Sequence, residues 1–203
     1  MSIEEGLREI PEYQEITDGI EQQGYYTLPA GTVVDIKLVS GIPLEVPILD
    51  TNNNITGKTA HTYDNTDEKV MSQVELADET MVGGIFSHSF ETGDTELMIT
   101  SHKLVEAQTK LDEWLNSLAK KYEISDQYID EEHEEKNTGP VDISLYIKDH
   151  PEVADEIQEE EKKLTRERNE AQAEAEMEFL KKIGIQLPED KTLLRVSLFM
   201  KTK

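Results

Sequence analysis

From Tyr25 to Thr100 the chain alternates apolar and polar residues with a period of two, the pattern of half-buried β-strands. Thr32–Val39 shows it best, with Val34, Ile36 and Leu38 on one face and Asp35 and Lys37 on the other. Tyr25–Leu28 precedes it across the turn Pro29-Ala30-Gly31. Ser40-Gly41 reads as the next turn, and Ile42–Leu49 as a strand alternating Leu44, Val46 and Ile48 with Pro43, Glu45 and Pro47. The prolines supply no ladder donors, which predicts an edge position. After the polar loop Asp50–Gly57, Lys58–Tyr63 and Lys69–Leu76 are weaker strands separated by Asp64–Glu68; the second also fits helical spacing through Val70, Val74 and Ala77. Met81–Phe90 and Thr95–Thr100 form a hairpin closed by Glu91-Thr92-Gly93-Asp94, with Gly83-Gly84 as a kink or bulge. About seven short strands at this spacing predict a small antiparallel β sandwich or barrel in an α+β protein.

The period then changes to that of a helix. Ser101 caps a segment running to about Tyr122 whose Leu104, Ala107, Leu111, Leu115, Leu118 and Tyr122 form one stripe, with Trp114 beside it. This helix is expected to lie on the sheet, in one core with Val34, Ile36, Leu38, Val196 and Leu198. A second helix fills His150–Gly184. Pro151 suits its first position, Glu152, Asp155 and Glu156 its positive first turns, Lys181 and Lys182 its last, and Gly184 its left-handed end. Such a rod is about 50 Å long. Its apolar stripe is narrow: Val153, Leu164 and Ala175 recur every eleven residues, as do Ile157, Arg168 and Phe179. Leu193–Met200 alternates again and predicts a C-terminal strand returning to the sheet. At the other end, Ser2 and Glu5 form a capping box before Ile3, Leu7 and Ile10, a short helix ending near Pro11.

These elements divide the chain into an N-terminal helix or arm (1–24), a β-rich core with its packing helix (25–122), an acidic loop and linker (123–149), a long charged helix (150–184) and a returning strand (185–203). Charge sharpens the division. The 203 residues carry a formal net charge of −24. Residues 1–100 hold 19 acids against Arg8, Lys37, Lys58 and Lys69, while residues 101–203 hold 25 acids against 16 bases. Glu123–Glu135 holds seven acids and no base, the composition of a solvated loop. This balance opposes direct binding to nucleic acid or to an anionic membrane. No run is long enough to span a bilayer, and MSIEEGLREI lacks the order of a signal peptide. There is no cysteine. The expected setting is cytoplasmic, or a virion if the source is viral.

Candidate chemistry is sparse. His61, His88, His102, His133 and His150 show none of the spacings of a zinc site, although His88 and His102 flank the hairpin near Asp94 and Glu96. Nucleophile-elbow, Walker A and dinucleotide-binding patterns are absent. No catalytic residue, metal or cofactor is assigned. The rod offers the candidate interaction residues Ile157, Leu164, Arg168, Ala171, Ala175 and Phe179. The expectation is a non-enzymatic structural or adaptor subunit, such as a head, neck or tail component of a bacteriophage, meeting a protein partner or another copy through the long helix and the N-terminal arm. The alternatives are an acidic imitator of duplex DNA and an enzyme with a dispersed site.

Overall fold

The computed structural model describes residues 11–49, 55–89, 92–121, 147 and 150–201. The capping box at Ser2, most of the Asp50–Gly57 loop, and the acidic loop and linker 123–149 apart from residue 147 lie outside them. In chain order the described elements are α1 (Pro11–Gln23), β1 (Tyr26–Leu28), β2 (Val33–Leu49), β3 (Ile55–Glu75), β4 (Thr80–His88), β5 (Asp94–Ile99), α2 (His102–Lys121), a 3-10 turn (Pro151–Val153), α3 (Ala154–Lys182) and β6 (Thr192–Lys201). They fall into two compact units. Met1–Ser101 with Ala173–Lys203 makes a sheet unit, and His102–Gln172 makes a helical unit.

The fold is α+β, and among the described residues the strands form one open antiparallel sheet rather than the expected barrel or sandwich of about seven, six strands in the order β1-β4-β5-β6-β2-β3. Two pairs of expected strands are each one long strand. Ser40 and Gly41 do not turn; they pair on both sides, with Asp67 and Thr66 of β3 and with Leu193 and Thr192 of β6. Their small side chains accommodate a register shift against β6 between Val39 and Ser40. Asp64–Glu68 likewise continues β3, and the stretch that also fitted a helix is strand through Glu75. The C-terminal strand does return, and it enters the middle of the sheet between β5 and β2.

One face of the sheet holds the main core. Leu28, Val34, Ile36, Leu38, Val82, Leu97, Ile99, Val196 and Leu198 pack with Tyr13 and Ile16 of α1 and Phe179 and Leu180 of α3. Pro11 opens α1 where a missing N–H costs nothing. Tyr13, Ile16 and the partly buried Ile20 then recur at helical spacing in a segment whose polar composition concealed them. The Tyr13 hydroxyl donates to the Met200 carbonyl at 3.1 Å, tying α1 to the end of β6. Beside it, Tyr26 is held above the ordinary tyrosine pKa, first by burial and then by the charge of Glu15, to which its hydroxyl donates. The neutral phenol is the form the fold prefers, so this contribution to stability is intact below pH about 10 and is lost as pH rises through the raised pKa.

The end of α3 shows why the sequence stops there. Gly184 takes φ +77°, its N–H bonds the Lys181 carbonyl at 3.2 Å, and the Ile185 N–H bonds the Leu180 carbonyl at 2.9 Å. This is a Schellman end with Leu180 and Ile185 in the same apolar cluster. Gly83 sits at the expected bulge, where the β4–β5 register shifts between Val82 and Gly84. A Cβ there would stand 2.8 Å from the Thr100 Cβ. Gly83→Ala is therefore expected to destabilise the sheet unit by about 1–3 kcal/mol, read as a lowered midpoint in urea unfolding.

The helical unit corrects the expected core. Leu115 and Leu118 belong to a cluster with Trp114, Ile147, Val153 and Ile157, and Leu104 and Ala107 to another with Ala171. Leu111 is only half-buried and belongs to neither. Thus α2 runs antiparallel to the first part of α3: the spacing of fourteen positions from Leu104 to Leu118 matches that from Ala171 back to Ile157. Alanine on both helices at one end of this seam lets the backbones approach. The packing helix was read onto the sheet because its stripe was the strongest in the chain. The long helix supplies a complementary stripe at the same spacing.

Candidate interaction surfaces

The six residues singled out on the rod form its packing face within the chain. Ile157, Leu164, Ala171, Ala175 and Phe179 are all buried. Ile157 meets Leu118, Ala171 meets Leu104 and Ala107, and Phe179 joins the sheet core. Arg168 donates through Nε to Gln108 Oε1 at 3.1 Å and through Nη1 to Asn169 Oδ1 at 3.2 Å. Solvated pairs stand beside and behind it, Lys163–Glu160, Arg166–Glu170 and Lys182–Glu178, and near the start of the helix Glu156 pairs with Lys121. α1 is likewise committed to the sheet through Tyr13 and Ile16.

Other surfaces are freer. Strand alternation puts Val33, Asp35, Lys37 and Val39 of β2 on the sheet's second face, with Val70, Arg195, Ser197, Phe199, Glu96 and Met98 opposite or beside them in the ladders. Val33 is 57% exposed, Val70 64% and Phe86 51%. The Arg195 guanidinium lies 4.3 Å from the Phe86 ring centre, a cation–π contact. Ser87 Oγ donates to Glu96 Oε2 at 3.1 Å, and Arg195 Nη2 stands 3.4 Å from Glu96 Oε1, near enough to pair charges without an aligned hydrogen bond. Asp94 Oδ1, Glu96 Oε1, Arg195 Nε and Ser197 Oγ are buried with no hydrogen-bond partner. Lys37 pairs with Glu68 at 3.4 Å. This face carries the exposed Val33, Val70 and Phe86 beside its two ion pairs.

Of the two histidines flanking the hairpin, His88 is held at Thr95, between Asp94 and Glu96 in the chain. His88 Nδ1 is 2.7 Å from Thr95 Oγ1, and its ring meets Tyr13 edge-on. Among the described residues no three His, Asp or Glu side chains converge as a metal would require, and no described helix is long and apolar enough to cross a membrane.

No protein-family model, curated protein or solved structure matches this chain. Its surfaces therefore speak for themselves.

Two further features belong to the sheet unit. The first is a ribbon. β6 pairs with β2 only as far as Gly41, while β2 and β3 go on pairing with each other from Ile42↔Asn65 to Leu49↔Ile55. The eight residues 42–49 carry this ribbon about 25 Å past the last β6 pair. Pro43 and Pro47 fall in this part of β2. The edge character expected from them holds for this half of the strand, where β2 has a single neighbour among the described residues. The second feature is a cleft of about 210 Å³ beside β3. Its apolar lining is Leu38, Met71, Ile185, Leu187 and Pro188, and its polar lining is Ser40, Asp67, Lys69, Gln186 and Lys191. None of these was expected as a site residue: Leu38 is a core position and Ser40 a turn position in the sequence pattern. The signal available was a pair of lysines, Lys69 and Lys191, in segments otherwise dominated by acids.

Proposed function

We propose that the chain is a non-enzymatic structural or adaptor subunit of a larger protein assembly, a bacteriophage particle being one such assembly. The ribbon formed by 42–49 and 55–65 carries this reading. A two-stranded ribbon alone in water is marginally stable, and among the described residues no third strand joins it. Placed against another protein, the same ribbon is completed. The exposed Val33, Val70 and Phe86 on the second sheet face add an apolar surface for contact. The ion pairs along α3 interrupt the rows of acid that imitation of duplex DNA needs, which supports a subunit over a mimic.

Ile42 and Asn65 are register partners, so residues 43–64 can be replaced by an Asn-Gly turn that closes the hairpin early. The shortened chain is expected to keep its circular dichroism and melting temperature within a few degrees while losing its assembly with the native partner. Assembly that survives the deletion unchanged would remove the ribbon as the contact.

A further inference from the structure

We propose that β3, between Asn65 and Met71, accepts an extended segment of a partner protein as a seventh strand, with an apolar side chain of that segment in the adjoining cleft and an acidic side chain on Lys69 and Lys191. The proposal rests on the subunit reading and names the partner's chemistry.

The sheet has two edges and they differ. β1 ends it with three residues, too short to template a further strand. β3 ends it with twenty-one, and a long edge presents unpaired N–H and C=O groups. The length usable for pairing is set by irregularities. The β2–β3 register shifts between Ile42 and Leu44 and again between Val34 and Ile36, so Asn65–Met71 is the regular window between them. At its end Gln73 takes φ +55° and turns its N–H to Asp35 Oδ1 at 2.8 Å. Seven residues is an ordinary strand length, and Thr66 to Val70 are all exposed.

The cleft lies on the side of this window where specificity is read. Asp67, Lys69 and Met71 alternate along β3 and all line it, as do their neighbours Leu38 and Ser40 across the ladder. A strand added about 4.8 Å from β3 sets every second side chain over the same face. Backbone bonds then supply affinity and the cleft supplies selection, the logic of strand addition. The apolar lining takes a Leu- or Phe-sized side chain. The charge requirement follows from pairing elsewhere in the unit: Lys37, Lys182 and Arg195 already face Glu68, Glu178 and Glu96. Lys69 and Lys191 have no carboxylate within ion-pair distance among the described residues and share one cleft. An acidic residue two positions from the apolar one meets them.

A second copy is the poorer occupant. Two-fold antiparallel pairing sets one residue opposite itself. Centred on Asp67, Glu68 or Lys69 it opposes identical charges, and centred on Thr66 it opposes Asp64 to Glu68. Centred on Asn65 or Val70 it runs into the irregular stretches.

The probes are blocked nonapeptides alternating Thr with Val, carrying one central Phe with Glu two residues later. Three controls carry Ser for Phe, Lys for Glu, or a central Pro. Titration followed by NMR and amide exchange is expected to show binding of the parent peptide, at least tenfold weaker binding of each control, and slowed exchange at Thr66–Val70. Lys69→Glu and Lys191→Glu are each expected to weaken the parent peptide at least tenfold with the melting temperature unchanged. Three results would overturn the proposal: no binding at millimolar peptide, binding indifferent to both lysine reversals, or slow exchange at Thr66–Val70 in the free chain, which would mean that its own residues already cover the edge. Any of these together with ribbon-dependent assembly leaves the subunit reading standing. Peptide binding without any assembly of the native chain would sink the subunit reading and keep the strand site.

Discussion

Leu164→Glu is expected to unfold the helical unit rather than to weaken an association. Leu164 is 8% exposed within the chain. It is the large apolar residue of α3 between Ile157 and Met177. A glutamate there brings a carboxylate into the seam formed with α2, whose neighbouring contacts are Leu118 with Ile157 and Leu104 with Ala171. Burying an unpaired charge costs several kcal/mol, a large share of the roughly 5–15 kcal/mol that holds a domain together. The expected result is a loss of at least about 3 kcal/mol in urea unfolding, with the helical circular dichroism signal collapsing first. Met177→Glu supplies the control on the same helix: Met177 is 46% exposed, and its change is expected to stay within about 0.5 kcal/mol. Equal, small effects at both positions would place Leu164 in solvent.

Phe179→Ala is expected to cost the sheet unit about 3–5 kcal/mol. Phe179 and Leu180 are how the last turns of α3 enter the core, among Tyr13, Leu97, Val196 and Leu198. Removing the ring leaves a cavity that a twisted antiparallel sheet closes only in part, so the transfer and cavity terms add. Tyr13→Phe is a graded companion. It keeps the ring and removes the 3.1 Å bond to the Met200 carbonyl, for about 1 kcal/mol. Urea midpoints at constant slope check both. A Phe179→Ala loss below about 1 kcal/mol would mean that α3 does not close this core.

The sequence was most readable where local periodicity and tertiary burial agree. The hairpin of Thr80–His88 and Asp94–Ile99, the returning β6, and α3 with its Pro151 start and Gly184 end follow from alternation and from end signals alone. It was least readable where a punctuating residue is overruled by pairing on both sides. Ser40-Gly41 looks like a turn, yet two neighbours satisfy its backbone and hold it in β2. α1 was hidden for a different reason: three apolar residues, Tyr13, Ile16 and Ile20, suffice to bury a short helix against the core face of the sheet. The rod's stripe was found residue by residue, but one chain cannot tell whether the surface that fills a stripe is its own. Here α2 covers it at Ile157 and Ala171 and the sheet core takes Phe179, and the matching spacing of Leu104 and Leu118 to Ala171 and Ile157 was present in the sequence. The cleft was not legible, because it is assembled from β2, β3 and the segment after α3, which lie far apart along the chain.

The proposed role, a built-in part of an assembly, is exercised through the β2–β3 ribbon. Lys58 is the lysine of that ribbon, so lysine cross-linking followed by native mass spectrometry, on material from the cells that make it, reads the claim directly. The expected result is a complex of fixed stoichiometry with a second protein and cross-links from Lys58 to that protein. Recovery of the chain alone at 23.1 kDa, with Lys58 linked only within its own chain, would contradict it.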